Sequence, residues 1–563
     1  MSEVPTVTAS EPMAETPDRY GAYPRLTDDQ IAALEAGGTR RSSAAGETLV
    51  HEGRRTDEFF VILSGKVAII VTDETGNRRV IAVHGPRRFL GELGALEGQA
   101  AFYTAEVVET GEVLVVPAQL VRTLVAHDPV LSDLILRAYL IRRSLLIEQG
   151  TGLRIIGSCY SPDTVRLREF AARNRLPHRW IDLERDKQAE KLLQRFGIGP
   201  EDTPVVIFGD AVLRNPTTTE LARLVGLPVP DIVPNERDLV VVGAGPAGLS
   251  AAVYGASDGL ATAAMEAIAA GGQAGTSSRI ENYLGFPGGI SGSDLAERAL
   301  LQAGKFGAQI LVSAEVCGLE SDAGQHRVSM ADERFIVARA VVLASGARYR
   351  RLAVPGIESF EGNGVYYAAT YQEALMCGTG PVIIVGGGNS AGQAAIFLAA
   401  RVSRVYLVIR GENLGKSMSR YLVDQIERHP RVTVAACTEV REVHGDGALE
   451  TVVIENLRTG ERRPVDTRAL FVFIGAVPNT SWLTGAIALD DYGFVPTGPA
   501  AIYPDTPDGG RRIQYQPMSL ETSRPGVFAA GDVRSGSVKR VASAVGEGSM
   551  VIRQINQYLG AYL

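Results

Sequence analysis

The stretch Asp238-Leu-Val-Val-Val-Gly-Ala-Gly-Pro-Ala-Gly-Leu-Ser-Ala-Ala252 decides the fold of the C-terminal half of this chain. Its short apolar run, followed by a glycine-rich turn and a helical pattern of small residues, predicts a buried parallel strand feeding a helix. Gly243, Gly245 and Gly248 form the pattern G-x-G-x-x-G. The first glycine permits a tight turn, the second lets the backbone approach a pyrophosphate, and the third lets the helix pack against the strand. The stretch therefore predicts a dinucleotide site at a helix N-terminus.

Two distant segments support a bound dinucleotide over a glycine-rich turn without a ligand. A second apolar run ends at Glu266, where an acidic side chain can hold a ribose hydroxyl. Near the C-terminus, Gly526-Val-Phe-Ala-Ala-Gly-Asp532 places another apolar strand directly before a Gly-Asp turn.

Composition limits the function classes. A chain of 563 residues predicts three or four domains. The net charge of −8 and the lack of a Lys/Arg stripe argue against a nucleic-acid partner. No apolar run approaches the roughly 18 residues of a membrane span. Four widely spaced cysteines, Cys159, Cys317, Cys377 and Cys437, suit the reducing cytoplasm, where we expect the protein.

The pattern of the N-terminal quarter predicts a β-roll or a jelly roll. Residues 1–25 have the composition of a flexible tail, and Thr27 is a suitable N-cap for a short helix. Short alternating strands separated by turns follow over residues 47–116, and residues 117–150 have a helical pattern.

Residues 26–150 resemble a cyclic-nucleotide-binding domain. The resemblance is carried by Gly46-Glu-Thr-Leu-Val-His-Glu-Gly53, Phe60-Val-Ile-Leu-Ser-Gly-Lys-Val67 and Phe89-Leu-Gly-Glu-Leu-Gly-Ala-Leu96. It implies contacts of Gly91, Glu92 and Leu93 with a cyclic nucleotide. Ala101 stands where the family has the arginine that neutralises the phosphate, and its loss removes a charge-assisted contact. We therefore favour a ligand-free regulatory or interaction domain over a cyclic-nucleotide site.

Residues 151–227 resemble the thioredoxin and glutaredoxin family. They show a β-α-β-α-β order with Thr203-Pro204 before a strand, and in the family that proline is cis. The segment Cys159-Tyr-Ser-Pro-Asp163 lacks the second cysteine of the family's Cys-x-x-Cys. We favour a degenerate domain kept for packing or assembly over a single-thiol or glutathione-contacting site. The proline-rich residues 228–237 form a linker.

From Asp238 to the end, the chain resembles the low-molecular-weight thioredoxin reductases. Further motifs are Gly271-Gly-Gln-Ala-Gly275, Ile280-Glu-Asn-Tyr-Leu-Gly-Phe-Pro287 and Ala344-Ser-Gly-Ala347. The resemblance implies a homodimer whose FAD-binding domain comprises residues 238–355 and 487–563. The implied FAD contacts are Gly243, Gly245, Ala247, Gly248, Glu266, Gly272, Gln273, Asn282, Gly346, Gly531, Asp532 and Arg540.

A second dinucleotide unit lies within residues 356–486. The strand 381–385 is followed by Gly386-Gly-Gly-Asn-Ser-Ala391 and a helix expected at 392–401. After the next strand stands Arg410 rather than an acidic residue, so NADPH is favoured over NADH. The expected NADPH contacts are Gly386, Gly388, Asn389, Ser390, Ala391, Arg410 and Lys416.

The chain departs from the thioredoxin reductases at Tyr367-Ala-Ala-Thr-Tyr371. Ala368 and Tyr371 occupy the two positions of the family's redox cysteines. A dithiol relay needs one thiolate to take electrons and another to resolve the mixed disulfide. We interpret Cys377 as structural, so the catalytic residue stays unassigned.

The remaining thiols and histidines suggest neither a base nor a metal site. Cys317 and Cys437 lie in apolar, strand-like surroundings and are expected in the core. His326 and His444 are expected to be solvated, and no histidine shows metal-ligand spacing.

The predicted fold is multidomain α/β, with a β-roll, a small thioredoxin-like domain and two nested Rossmann-like domains. The predicted function is an FAD-dependent NADPH oxidoreductase, of the disulfide reductase class by resemblance. Its flavin would pass electrons directly to a non-thioredoxin acceptor such as a quinone or an iron–sulfur protein. The alternative is a non-catalytic, flavin-bound sensor or assembly scaffold.

Overall fold

The structure is a computed structural model that describes residues 13–72, 77–186, 193, 198–230, 236–277, 279–280, 282–361, 363–367, 369, 374, 377–501 and 517–561. The chain forms two compact units. The first extends to Pro230 and includes residues 304–306 and 311–313, and the second contains the rest. None of the helices in the described ranges is long and apolar enough to cross a membrane.

The first unit combines a β-roll with a small α/β domain. Its described helices are α1 Asp28–Glu35, α2 Glu92–Glu97, α3 Ala118–His127, α4 Pro129–Glu148, α5 Pro162–Arg173 and α6 Thr218–Val225. Its strands are β1 Thr39–Ser43, β2 Thr48–Val50, β3 Glu58–Thr72, β4 Arg78–His84, β5 Phe89–Leu90, β6 Thr104–Pro117, β7 Leu153–Gly157, β8 His178–Asp182, β9 Val205–Phe208 and β10 Ala211–Arg214.

Strands β1–β6 form one antiparallel sheet in the order β1-β6-β3-β4, with β2 on β6 and β5 on β3. The helices α3 and α4 complete its apolar core around Phe59, Phe89 and Leu131. Thr27 caps α1 as predicted, since its hydroxyl accepts from the Gln30 N–H and the Gln30 side chain accepts from the Thr27 N–H.

Residues 13–25 are not the flexible tail that we expected. The Thr16 N–H donates to the Val83 carbonyl at 3.0 Å, and the Val83 N–H donates to the Thr16 hydroxyl at 2.8 Å. Ala22 and Leu26 are buried. The polar composition of this segment suggested a flexible tail. The two hydrogen bonds between Thr16 and Val83 instead hold the segment on β4, and the buried side chains of Ala22 and Leu26 anchor its end.

The small domain has a four-stranded sheet in the order β10-β9-β7-β8. Strand β7 runs parallel to β8 and antiparallel to β9, which is antiparallel to β10. The Thr203–Pro204 peptide bond is cis. Most of the helix expected between β8 and β9 falls outside the described residues.

The second unit contains two main sheets, one mixed and one parallel, with helices. Its described helices are α7 Pro246–Ser257, α8 Gly292–Lys305, α9 Asn389–Ala399, α10 Arg420–Arg428 and α11 Val541–Ala561. Its strands are β11 Glu236–Val242, β12 Thr262–Met265, β13 Gln309–Leu311, β14 Val316–Asp322, β15 Gln325–Met330, β16 Phe335–Leu343, β17 Ala347–Tyr349, β18 Val365–Tyr366, β19 Val382–Val385, β20 Val405–Val408, β21 Val432–Ala435, β22 Thr438–His444, β23 Thr451–Asn456, β24 Arg462–Asp466, β25 Leu470–Val472, β26 Ala476–Pro478 and β27 Val527–Ala529.

The first sheet has the order β13-β12-β11-β16-β15-β14, with β27 on β16. It is mixed, because β15 runs antiparallel to β14 and β16. Strands β11, β12, β16 and β27 are parallel and buried, so their carboxyl ends meet at one edge. The helices α7 and α11 pack together against this sheet.

The second sheet has the order β18-β25-β19-β20-β21, and all its pairings are parallel. An antiparallel layer, β22-β23-β24, lies in the chain between β21 and β25. The chain passes from the first sheet to the second through β17 and returns through β26, and these two short strands pair antiparallel. This unit therefore contains Rossmann-like domains, and the strands of the second sheet lie in the chain between β16 and β27 of the first.

In the first sheet of this unit, two expectations about burial are wrong. Cys317 is exposed on β14, where a β-bulge between Val316 and Gly318 interrupts the regular alternation of buried and exposed side chains. His326 is only 1% exposed on β15, where its Nδ1 lies 2.8 Å from the Ser321 hydroxyl. Burial, reinforced by Arg524, lowers the pKa of His326 to about 4.

Candidate functional site

The turn between β11 and α7 has the geometry that its glycines require. Gly243 has φ +101°, and a Cβ there would lie 2.3 Å from the Ala344 carbonyl oxygen. A Cβ on Gly248 would lie 1.8 Å from the Gly243 carbonyl oxygen. In contrast, a Cβ on Gly245 would have only the Gly272 Cα within 4 Å, at a distance of 3.8 Å. The backbone is thus packed behind the turn and open in front of the helix N-terminus.

Glu266 stands at the end of β12 beside this turn. Its Oε2 accepts from the Ala244 N–H at 2.9 Å, and its Oε1 accepts from the Ile268 N–H at 3.3 Å. These bonds fix the carboxylate next to the glycine turn, where a ribose hydroxyl can donate to it.

A second glycine turn lies against the first. Gly272 has φ +52°, and a Cβ there would approach the Gly245 Cα to 2.9 Å. The Gly271 N–H donates to the Ala244 carbonyl at 2.7 Å, and the Gln273 side chain donates to the Ala347 carbonyl. Gly346 has φ +66°, and Asn282 is exposed.

The C-terminal Gly-Asp turn meets the start of α7. A Cβ on Gly531 would lie 2.8 Å from the Ala247 Cβ. Desolvation raises the pKa of the neighbouring Asp532, although Lys539 lowers it, and the Lys539 ammonium donates to the Asp532 carbonyl. Arg540 is exposed just before α11.

Sequence reasoning missed an ion pair that supports this turn. The Glu547 carboxylate accepts from the Gly531 N–H at 2.7 Å and contacts the Arg534 guanidinium at 2.6 Å. The spacing of Glu547 from the turn carried no signal, because the pair forms only when α11 folds back onto it.

These residues fit FAD. A cradle of glycines lies before a helix N-terminus, which can bind a pyrophosphate. A fixed carboxylate for a ribose lies at one side of it. The half-buried Asp532 supplies a second carboxylate acceptor for sugar hydroxyls.

The second dinucleotide turn is built in the same way. Gly386 has φ +143°, and a Cβ there would lie 2.2 Å from the Phe473 carbonyl oxygen, whereas nothing lies within 4 Å at Gly388. Helix α9 begins at Asn389, three residues earlier than expected, and its first turn contains Ser390 and the buried Ala391. The Asn389 side chain accepts from the Ser419 N–H at 2.7 Å.

Arg410 and Lys416 follow β20 and are both exposed. Neither forms an ion pair with another residue in the described ranges. Their two cationic groups are therefore available for a 2′-phosphate, which supports NADPH.

The segment at the expected redox position is described only in part. Ala368 and Tyr371 lie outside the described residues. Tyr367 donates its hydroxyl to the Glu361 carboxylate at 2.8 Å, and Glu361 also pairs with Arg351 at 3.1 Å. Burial, followed by the Glu361 hydrogen bond and charge, raises the pKa of Tyr367.

All four cysteines are described, and none is in a disulfide. Cys377 is buried in the apolar core between β19 and α9. Cys437 is half-buried and has φ +49°, so it is not the core residue that we expected. Burial, and then Asp182, raises the pKa of Cys159, which disfavours its thiolate.

The β-roll contains a buried polar cluster at the start of α2. Glu92 and Leu93 are buried, and Gly91 has φ +89°. The Gly91 N–H donates to the Tyr103 hydroxyl at 3.4 Å, and the Glu92 carboxylate lies 3.1 Å from the Arg142 guanidinium.

We did not predict the role of Arg142. The sequence feature that could have indicated the Arg142–Glu92 ion pair is the adjacent pair Arg142-Arg143. These two arginines stand at buried positions in the otherwise apolar pattern of α4. Ala101, at the position of the family's arginine, is buried and offers no charge.

The comparisons with known proteins agree with this geometry. The family model for pyridine nucleotide-disulphide oxidoreductases matches residues 237–548, which is more than half of the chain. The chain belongs to this family. A model for the cyclic nucleotide-binding domain matches residues 40–128.

Relatives include a thioredoxin reductase from Peptoclostridium acidaminophilum, 32% identical over 333 residues, covering 58% of this chain and 98% of that protein. The 34.2 kDa protein in the rubredoxin operon of Clostridium pasteurianum is 31% identical over 325 residues, with coverage of 58% and 98%. The crystal structure of a thioredoxin reductase from T. acidophilum is 29% identical with a TM-score of 0.52, and the match covers 58% of this chain and 99% of that chain.

The protein is thus a thioredoxin reductase-like, NAD(P)H-dependent flavoprotein oxidoreductase with a cyclic nucleotide-binding-type β domain. The family of its relatives uses FAD and NADPH.

Proposed function

We propose that this protein oxidises NADPH at a bound FAD and passes the electrons to an acceptor other than thioredoxin, without a thiol relay. The observation that carries the proposal is Tyr367-Ala-Ala-Thr-Tyr371, which has no cysteine at the positions of the family's dithiol. Thiol–disulfide exchange requires a thiolate attacker and a second thiol that resolves the mixed disulfide.

The other cysteines are poor substitutes. Cys377 is 4% exposed and belongs to an apolar core, so a protein disulfide has no access to its sulfur. Cys317 and Cys437 lie on separate layers of the second unit, on β14 and directly before β22. The raised pKa of Cys159 leaves little thiolate at neutral pH.

Bound FAD supplies the redox chemistry, because it accepts a hydride from a nicotinamide and can release electrons to other acceptors. The chain's own residues bind and orient the two dinucleotides. The α7 N-terminus and Glu266 support binding of FAD, and the α9 N-terminus with Arg410 and Lys416 supports binding of NADPH.

For the acceptor we propose a quinone or an iron–sulfur protein, since both take electrons from a flavin without a thiol. The Clostridium pasteurianum relative is named for a rubredoxin operon, which supports the iron-protein option.

We further propose a cytoplasmic homodimer that needs neither nucleic acid nor a membrane. The wide spacing of the four cysteines along the sequence supports a reducing compartment. The homodimer rests on the family resemblance alone.

For residues 151–227 we propose a thioredoxin-like domain that serves assembly rather than redox chemistry. The sheet order β10-β9-β7-β8 and the cis peptide bond before Pro204 support that fold. The absence of a second cysteine near Cys159 in the sequence supports the loss of redox function.

The test is an anaerobic titration of the purified yellow protein with NADPH, followed by its flavin absorbance. We expect stoichiometric bleaching, then reoxidation by a soluble quinone or a rubredoxin but not by thioredoxin disulfide or a small aromatic disulfide. Reoxidation by a disulfide would contradict the proposal, and a flavin that NADPH does not reduce would favour the sensor alternative.

A further inference from the structure

Glu547, in the second turn of helix α11, joins this helix to the turn at Gly531 and Asp532. Its Oε2 accepts from the Gly531 N–H at 2.7 Å, and its Oε1 lies 2.6 Å from Nη2 of Arg534. A second contact, 3.2 Å between Oε2 and Arg534 Nε, makes the ion pair bidentate. One carboxylate therefore satisfies a backbone donor of the turn and also pairs with the cation that follows the turn.

The Arg534 guanidinium extends this connection to a third segment. Its Nη1 donates to the Thr497 hydroxyl at 3.1 Å, and Thr497 is buried. Backbone hydrogen bonds of 3.0 and 2.9 Å also pair residues 533–535 with Val495. Glu547 thus holds the turn between α11 and the segment that contains Val495 and Thr497.

The backbone around Asp532 is fixed on both sides. Glu547 binds the N–H of the preceding residue, and the Lys539 ammonium donates to the Asp532 carbonyl. The Asp532 carboxylate itself is half-buried and accepts no hydrogen bond from the residues that the structure describes. A fixed and partly desolvated carboxylate with free lone pairs is suited to accept from the hydroxyl groups of a ligand.

Stability alone does not explain a carboxylate at position 547. Desolvation raises the pKa of Asp532, the charge of Lys539 lowers it, and the charge of Glu547 raises it again. Glu547 and Asp532 therefore repel each other. A neutral pair of side chains at positions 534 and 547 could satisfy the Gly531 N–H without this repulsion. Like charges that disfavour each other beside a partly buried turn are typical of functional sites.

We propose that Glu547 is a positioning residue for the ribityl chain of FAD, which acts through the Gly531 N–H and Arg534 to hold the Asp532 carboxylate towards the sugar hydroxyls. Both oxygens of Glu547 are engaged by the protein, so this residue acts on the ligand through Asp532. The role rests on the proposed binding of FAD and adds to it a residue that orients the acceptor.

The test titrates the full-length apoprotein, prepared by removing FAD from the purified flavoprotein, with FAD and follows the quenching of flavin fluorescence. Glu547→Leu removes both the acceptor for Gly531 and the partner of Arg534, so the Kd for FAD should rise at least about tenfold. Glu547→Gln keeps an acceptor oxygen for the Gly531 N–H, so its Kd should rise by about threefold or less.

Gln554→Leu is the matched control. Gln554 Oε1 accepts from the Leu520 N–H at 3.0 Å, which is the same kind of bond, made from the same helix about two turns further on. This variant should lower the unfolding temperature of the apoprotein, as Glu547→Leu does. Its Kd for FAD should stay within about twofold of the wild type, because the bond does not hold the turn at Asp532.

The pH dependence of FAD binding separates positioning from simple bracing of the helix. In the wild type, the affinity should fall as the pH falls through the raised pKa of Asp532, because a protonated carboxyl loses acceptor capacity. The charged groups that act on Asp532 are Lys539 and Glu547, and Arg534 is paired with Glu547. Glu547→Gln removes the negative charge, so the pKa of Asp532 should decrease and the loss of affinity should move to lower pH. A residue that only braces α11 would leave that midpoint in place.

Three outcomes would overturn the proposal. Equal FAD affinity in Glu547→Leu and Gln554→Leu would refute the positioning role and leave FAD binding by the wild type intact. A wild-type apoprotein that does not bind FAD would instead refute the proposed function, and this role with it. If Glu547→Leu does not fold, the Glu547→Gln variant decides, and a pH midpoint equal to that of the wild type would refute the role.

Discussion

Substituting Gly548 by alanine tests how the FAD domain is held together. Gly548 lies on α11 where this helix crosses α7, and a Cβ there would lie 2.2 Å from the Ala247 carbonyl oxygen and 2.8 Å from the Ser250 Cβ. Because carbon and carbonyl oxygen normally stay about 3.3 Å apart, the helices would have to separate by about 1 Å. That shift would also strain the hydrogen bond from the Ser250 hydroxyl to the Val545 carbonyl, which is 2.8 Å long.

Two opposing effects set the magnitude. Overpacking of a tight contact destabilises a protein by about 1–3 kcal/mol. Replacing glycine by alanine within a helix stabilises it by roughly 0.5–1 kcal/mol. We therefore expect Gly548→Ala to lower the free energy of unfolding by about 1–2 kcal/mol. Since Ala247 is in the first turn of α7, FAD affinity should fall about tenfold, which corresponds to roughly 1.4 kcal/mol.

Gly546→Ala is the matched control, because no atom lies within 4 Å of a Cβ at this position of the same helix. It should raise the unfolding temperature, whereas Gly548→Ala should lower it. The assay is thermal unfolding of both variants, together with the ratio of flavin to protein absorbance after dialysis. Equal stability and equal flavin content in the two variants would refute the close packing of α11 on α7.

Three further predictions concern the coenzyme, the missing dithiol and pH. Arg410→Glu should raise the KM for NADPH at least tenfold and leave the KM for NADH nearly unchanged, because it removes a cation from the 2′-phosphate; equal increases would contradict this role. The double variant Ala368→Cys/Tyr371→Cys should gain NADPH-dependent disulfide reduction, and a folded, FAD-loaded variant without that activity would contradict the alignment of this segment. His326 has a folded pKa of about 4, below its ordinary 6.5, because of burial and Arg524. The unfolded chain therefore binds the proton first, and stability that is complete above pH 6.5 is lost as the pH falls towards 4, by up to about 1.4 kcal/mol per pH unit. His326→Gln should reduce the difference in urea midpoint between pH 7 and pH 5, and an unchanged difference would show that another group causes it.

The sequence predicted those turns, caps and strands whose residue requirements can be recognised within a short stretch of chain. The turn at Gly243 follows from backbone sterics, and the capping of α1 follows from Thr27 and its neighbour three residues on. The parallel strands before both glycine turns follow from short apolar runs. For these features the signal in the sequence lies within a few positions of the chain, although the packing partners, such as Ala344 for Gly243, lie far along it.

Features that depend on distant segments were missed. The burial of His326 is decided by packing against the turn at Gly526, about 200 residues further along the chain. The pairing of Arg142 with Glu92 joins α4 to the start of α2, 50 residues earlier in the chain. Cys317 and Cys437 lie in apolar stretches of the sequence. A β-bulge in β14 and the left-handed backbone at Cys437 keep their side chains out of the core. Such outcomes require the three-dimensional arrangement rather than the pattern of one segment.

The most direct test of electron transfer without a thiol is the turnover of a protein that has no cysteine. Cys159→Ser, Cys317→Ser, Cys377→Ala and Cys437→Ser can be combined, and FAD content and reduction by NADPH serve as controls for folding. We expect kcat for NADPH-dependent quinone or rubredoxin reduction to stay within about twofold of the wild type, a change of less than 1 kcal/mol in the barrier. A loss of about a hundredfold or more, with FAD content and flavin reduction intact, would show that a thiol carries the electrons and would contradict the account.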